Sequence, residues 1–311
     1  MIPFISQLPE NEQNVWLTAL NDCLPNENVV RSSDISPADK KRCQVAIVAN
    51  PHPAQIAEFG HLIWLHSVWA GVEHLMSAVK DSPIEVVRLI DPMLSQTMAE
   101  AVLAWSLYIH REMPRYAKQQ MNNHWQQHQY IPASDRRIGI LGLGELGQAS
   151  AEQLHHHGFT VMGWSRSKKS LANISSYSGD DGLTEMLAQC DILLCLLPLT
   201  PATKELVNKS RLALMPKGSA VINFARGAII NTDDLLDALN TRHIDHAVLD
   251  VFEHEPLSSQ SELWQHPDIT VLPHISAPTN LNSACDIVAK NIIKFRETGL
   301  LPVTVDKVTG Y

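Results

Sequence analysis

The segment Gly142-Leu-Gly144-Glu145-Leu146-Gly147 has the spacing G-x-G-x-x-G. It follows an apolar run, Ile138–Leu141, and opens a helical pattern, Gln148–His155; a second apolar run, Phe159–Gly163, comes next. In that setting Gly142 makes a tight turn, Gly144 lets backbone approach a pyrophosphate, and Gly147 lets the helix pack close to the strand. The N–H groups of the helix start, Glu145 and Leu146 among them, then face the anion. The second run ends in Trp164-Ser165-Arg166-Ser167-Lys168-Lys169. A site for a bare ribose 2′-hydroxyl normally carries Asp or Glu there. No carboxylate stands between Glu152 and Asp180. Arginine can grip a phosphate bidentately, which a carboxylate would repel. The sequence therefore predicts NADP in preference to NAD. Arg166 is the main contact and Ser165 a hydroxyl donor; Ser167 lies beside them, and Lys168 and Lys169 supply field.

Three more motifs follow apolar runs of the same block. Asn223-Phe224-Ala225-Arg226-Gly227 follows Ala220–Asn223, Asp250-Val-Phe-Glu253-His254-Glu255-Pro256 follows Ala247–Leu249, and Pro273-His274-Ile275-Ser276 follows Ile269–Leu272. The carboxyl ends of parallel strands share one edge, where ligands bind. Arg226, Glu255 and His274 can therefore converge, although 29 and 19 positions separate them. Glu253 and His254 are read as surface residues.

The elements that must hold these groups can be read from the hydropathy pattern. Short continuous apolar runs alternate with longer helical patterns, which implies a doubly wound parallel α/β sheet. In the first hundred residues the runs are Ile2–Ile5, Val45–Val48, Leu62–Leu65 and Val86–Ile90. Gln96–Gln120 reads as one long helix and Asn282–Arg296 as another. Trp125 reads as a local packing residue. The chain of 311 residues suggests about two domains. Its net charge, 24 − 33 = −9, argues against nucleic acid as the main partner. No apolar run approaches the ~18 residues of a membrane helix, and the N-terminus lacks a secretory pattern. Five scattered cysteines read as reduced thiols of a cytoplasmic protein, with no metal site. Cys195 reads as a buried residue near the adenine side, and His155–His157 as a solvated helix end.

Together GLGELG, Leu197–Thr203 (LPLTPAT), NFARG, LDVFEHEPL and LPHISAPT resemble the D-isomer-specific 2-hydroxyacid dehydrogenases, in particular their glyoxylate/hydroxypyruvate reductase A type. The resemblance implies a Rossmann coenzyme domain, residues 98–279, and a smaller flavodoxin-like substrate domain, residues 1–97 plus 280–311. It implies that Arg226 holds the carboxylate and carbonyl oxygen of a small 2-oxo acid, that His274 is the general acid, and that Glu255 favours its imidazolium form. Asp250 would bind the nicotinamide carboxamide. Leu197, Pro198, Phe224 and Ala225 would line the cofactor, and Thr203 would either touch it or cap a helix. Leu65–Glu73 resembles the family loop that receives the substrate carboxylate, commonly Gly-Ala-Gly-Val-Asp. Here Trp69 stands for the first Gly and Glu73 for the Asp, while Ala70 and Gly71 keep the small backbone. Trp69 either narrows the pocket or packs beneath the loop. In relatives an aromatic residue of the Trp125 region reaches the partner subunit, and the Gln96–Gln120 helix suits a symmetric homodimer. Corepressors share this fold, so a nucleotide-sensing interaction protein is the rival reading.

Overall fold

Continuously apolar strands need cover on both faces, and here they obtain it in two separate sheets. The computed structural model describes residues 1–307 and 310. The chain divides into two compact units, Met1–Met93 with Thr279–Tyr311, and Leu94–Pro278. Every strand pairing within the two sheets is parallel.

The first unit contains β1 (Ile2–Ser6), β2 (Val29–Arg31), β3 (Val45–Ala49), β4 (Trp64–Ser67) and β5 (Glu85–Val87), in the order β2-β1-β3-β4-β5. This is the flavodoxin-like winding. Successive side chains of a strand point to opposite faces. Val45, Ile47 and Ala49 accordingly join one core with Trp16 and Leu20 of helix Glu10–Cys23 and Val288 and Ile292 of helix Leu281–Thr298. Ala46 and Val48 join the opposite core with Phe59, Leu75 and Met76.

The second unit contains β6 (Arg137–Leu141), β7 (Thr160–Trp164), β8 (Ser175–Tyr177), β9 (Ile192–Cys195), β10 (Ser219–Asn223), β11 (Ile244–Leu249) and β12 (Ile269–Val271). Their order is β12-β11-β10-β9-β6-β7-β8. The winding reverses between β6 and β9, so the loops leaving these two strands flank the switch point where ligands of such sheets bind.

Three expectations need correction. The long helix expected over Gln96–Gln120 is two helices, Pro92–His110 and Met113–Met121. Glu112 adopts a left-handed conformation (φ 55°) at the break, and Pro114 sits in the first turn of the second helix, where its missing N–H is tolerated. Trp125 does not pack locally: it is 94% exposed, in a segment without helix or strand. The runs Leu62–Leu65 and Val86–Ile90 are displaced from the strands actually formed, because register is set by pairing of Trp64 with Val45 and Glu85 rather than by the limits of the apolar run. All five cysteines are free, and His155–His157 are exposed at a helix end. Among the described residues no helix is long and apolar enough to cross a membrane, and no His/Cys/Asp/Glu group could hold a metal ion.

Candidate active site

The turn after β6 is built around glycine. Gly142 has φ +105°, and a Cβ there would lie 2.8 Å from the Leu196 carbonyl oxygen, in the loop after β9. A Cβ on Gly147 would lie 1.8 Å from the Gly142 carbonyl oxygen, so the helix Glu145–His156 can approach its own entry turn only with glycine there. Gly144 differs from both, since a Cβ at this position would meet nothing within 4 Å. It is the N-cap of the helix and supplies no side-chain cap. Open space over uncapped N–H groups suits a pyrophosphate.

After β7 the chain enters the loop Ser165–Lys169. Arg166, Ser167, Lys168 and Lys169 are exposed, whereas Ser165 is buried. The Ser165 hydroxyl donates to the Ser167 carbonyl at 2.8 Å, and the Lys169 N–H donates to Ser176 Oγ at 2.9 Å. Ser165 therefore shapes the loop that carries the cations. The residues of the two loops together fit a dinucleotide with a 2′-phosphate.

The loop after β9 folds on itself. The Thr203 hydroxyl donates to the Pro198 carbonyl at 2.7 Å and accepts from the Thr200 N–H at 2.8 Å. It closes a turn rather than capping a helix. Leu197 is nearly buried beside it. Cys195 is fully buried, and burial pushes its thiol far above the usual range.

The loops after β10, β11 and β12 are stitched together. Asn223, which is buried, accepts from the Ala225 N–H at 3.1 Å and donates to the Arg226 carbonyl at 3.1 Å, so it shapes the loop that bears Arg226. Phe224 and Ala225 are buried below it. A Cβ on Gly227 would lie 2.0 Å from the Phe252 carbonyl carbon, so this glycine brings the arginine loop against the one after β11. The Arg226 Nη1 donates to the Ala225 carbonyl at 2.6 Å. Glu255 accepts the Phe252 N–H at 2.9 Å through Oε1, and its Oε2 lies 2.7 Å from His274 Nδ1. The imidazole thus presents Nε2 outward, without a hydrogen-bond partner among the described residues. His274 has φ +55°, a conformation uncommon for a residue with a side chain. Asp250 holds it there. The Asp250 carboxylate is 2% exposed and accepts the N–H groups of Ile275 and Ser276 at 2.7 and 2.9 Å, while its carbonyl accepts the His274 N–H at 3.0 Å. The structure thus gives Asp250 a structural task. Asn223 and Gly227 are the contributors that sequence reasoning missed; a polar residue closing an apolar strand was the available signal for Asn223.

In the first unit, Trp69 packs edge-on against Trp16, with ring centroids 5.7 Å apart. Its backbone N–H donates to Ser67 Oγ at 3.0 Å, and its carbonyl accepts the Leu89 N–H at 3.1 Å. Trp69 therefore lies against the core beneath the loop. The N–H groups of the half-buried Ala70 and Gly71 have no partner among the described residues.

Residues 103–276 match the family described as D-isomer specific 2-hydroxyacid dehydrogenase, NAD binding domain, which is more than half of the chain. The chain belongs to the D-isomer-specific 2-hydroxyacid dehydrogenases. Among solved structures, it resembles a family member from Xanthobacter autotrophicus Py2 crystallised with NADPH and MES, at 34% identity over 100% of this chain and 99% of that one (TM-score 0.92). It also resembles an NADPH-dependent glyoxylate/hydroxypyruvate reductase from Sinorhizobium meliloti in complex with NADP and sulfate, at 32% identity over the full length of both chains (TM-score 0.89). A probable 2-hydroxyacid dehydrogenase from Rhizobium etli, in complex with NADP, HEPES and L(+)-tartaric acid, is 27% identical over the full length of both (TM-score 0.89).

Proposed function

We propose that this protein reduces a small 2-oxo acid, glyoxylate or hydroxypyruvate, to the 2-hydroxy acid, with NADPH preferred over NADH. The observation that carries the reading is the 2.7 Å Glu255–His274 pair, on a loop stitched to the one bearing Arg226. When bound, NADPH supplies the hydride. The protein's own groups aim the substrate and move the proton. The Arg226 guanidinium takes an oxygen of the substrate carboxylate and the reacting carbonyl oxygen. As that oxygen gains negative charge, the proton on His274 Nε2 passes to it, leaving a neutral imidazole whose Nδ1–H stays on Glu255. The Glu255 carboxylate, 2.7 Å from Nδ1, fixes the ring's orientation throughout.

The turn Gly142–Gly147, with the Glu145 and Leu146 N–H groups, receives the pyrophosphate, and Arg166, Ser167 and Lys168 receive the 2′-phosphate. Leu197, Pro198, Thr203, Phe224 and Ala225 border the nucleotide, and Asp250 serves by fixing the His274 loop. Ala70 and Gly71 offer the two free N–H groups that a carboxylate accepts, on a loop pinned by Trp69. The exposed Leu107, Met113, Met121, Trp125 and Tyr130 are the surface of a symmetric homodimer, and the free thiols accord with a cytoplasmic enzyme.

A steady-state panel of 2-oxo acids with both coenzymes tests the proposal. Turnover of glyoxylate or hydroxypyruvate with a lower KM for NADPH than for NADH is expected. No turnover of any 2-oxo acid contradicts the reaction, and a preference for NADH contradicts the 2′-phosphate assignment.

A further inference from the structure

His66 sits in β4 between Leu65 and Ser67, is 0% exposed, and belongs to none of the sites assigned above. Placing an imidazole inside an apolar sheet is costly unless its nitrogens find partners. Both do. Nδ1 lies 2.9 Å from the Ser67 carbonyl oxygen, which can only accept, so Nδ1 carries the proton. Nε2 is then a bare acceptor, and it lies 2.9 Å from Nδ2 of Asn291, on the helix Leu281–Thr298. The tautomer is thus fixed by its surroundings. Burial pushes the pKa down to about 4, so the ring is neutral at ordinary pH.

The next link is Ser67. Its carbonyl is held by His66, and its hydroxyl oxygen accepts the Trp69 N–H at 3.0 Å. Val68 donates to the Val48 carbonyl at 3.0 Å, and the Trp69 carbonyl accepts from Leu89 at 3.1 Å. Hydrogen bonding along the chain is therefore committed as far as Trp69 and stops at Ala70 and Gly71. A chain of bonds, from the half-buried Asn291 through the buried His66 to Ser67, fixes the path on which these two free N–H groups are presented.

We infer that His66 is a positioning residue for the carboxylate-receiving N–H groups of Ala70 and Gly71. It acts through the Ser67 peptide and touches no reacting atom. The inference rests on the proposed 2-oxo acid reduction for the identity of the anion, but the presentation of the two N–H groups can be measured without turnover. An imidazole here does what a leucine of similar bulk cannot, since a donor at the Nδ1 position is needed to hold the Ser67 carbonyl.

The test is an oxamate titration of the full chain with NADPH, followed through the amide resonances of Ala70 and Gly71, in wild type, His66→Leu, His66→Gln and His66→Asn. Wild type should show saturable shifts at both amides. His66→Leu and His66→Gln should weaken the oxamate Kd and the glyoxylate KM about tenfold, the scale of one lost buried hydrogen bond. His66→Asn, whose amide nitrogen takes the place of Nδ1, should recover most of the loss. At saturating substrate, kcat should change less than about threefold, and the KM for NADPH should stay constant. Equal oxamate affinity in all four proteins would overturn the inference. So would still amides at Ala70 and Gly71 in wild type, or variants that lose only Tm and active fraction while KM holds. Failure of wild type to reduce any 2-oxo acid, with these amide shifts intact, would instead overturn the proposed reaction.

Discussion

The end of β4 in the first unit and the loop after β12 in the second each carry a histidine, and the two are built in opposite ways. His66 is fully buried, with both nitrogens committed at 2.9 Å to a carbonyl and an amide. His274 is exposed, held at Nδ1 by a carboxylate at 2.7 Å, with Nε2 left over. One arrangement removes the imidazole from proton chemistry and makes it a fixed donor. The other leaves a nitrogen facing outward and places a negative charge behind the ring. Residue type alone would rank them equally; burial and partner identity separate them.

The largest expected effect falls on the second arrangement. Replacing His274 by Gln should lower kcat with glyoxylate by about 10³-fold or more, since the proton donor is lost while NADPH affinity, read by fluorescence titration, stays within about threefold. Glu255→Gln keeps a hydrogen-bonding group but removes its charge. It should cost roughly 10²-fold in kcat, and a kcat equal to wild type would mean that the charge plays no part. Next comes Arg166→Ala, which should raise the KM for NADPH about 10–100-fold, the scale of charge-assisted hydrogen bonds to a phosphate, and hardly move that for NADH. Equal losses with the two coenzymes would remove Arg166 from the 2′-phosphate.

The smallest effect sharpens the comparison through stability. His66 in the first unit and His246 in the second are both pushed down to about 4 by burial. Unfolded, each titrates near ~6.5. Between those values the unfolded chain binds more protons, so stability is complete above about pH 6.5 and falls as the pH drops toward 4, by about 2–3 kcal/mol for each histidine at pH 4.5. Urea midpoints measured between pH 7 and 4.5 should show that decline, and His246→Asn should flatten it. An unchanged slope in that variant would mean that His246 does not titrate on unfolding.

Much of this was legible in the sequence. Continuously apolar runs marked most strands of the second unit, and the G-x-G-x-x-G spacing marked the one turn where a Cβ on either Gly142 or Gly147 would collide with backbone. The strands β2 and β8 were not legible, because Val29–Arg31 and Ser175–Tyr177 are three-residue edge strands without a long apolar run. The break at Glu112 was hidden for a different reason: the helical pattern continues through it, and only Pro114 marked the boundary. The sequence also gave no way to choose partners for short polar side chains. Ser165, Thr203 and Asp250 all have groups able to meet a cofactor, yet Ser165 and Thr203 bond their own loops and Asp250 a neighbouring one, a choice decided by loop conformation rather than residue type. Asn223 and His66 were overlooked because each sits in an apolar strand: Asn223 bonds the loop that follows it, and His66 an amide on a helix far along the chain.

The most direct measurement of the central claim is the decay of NADPH absorbance on adding glyoxylate to wild type and to Arg226→Ala. Wild type should turn over, and the variant should lose that turnover by about 10³-fold or more with NADPH still bound. Turnover surviving the loss of the guanidinium, or none in wild type with any small 2-oxo acid, would contradict it.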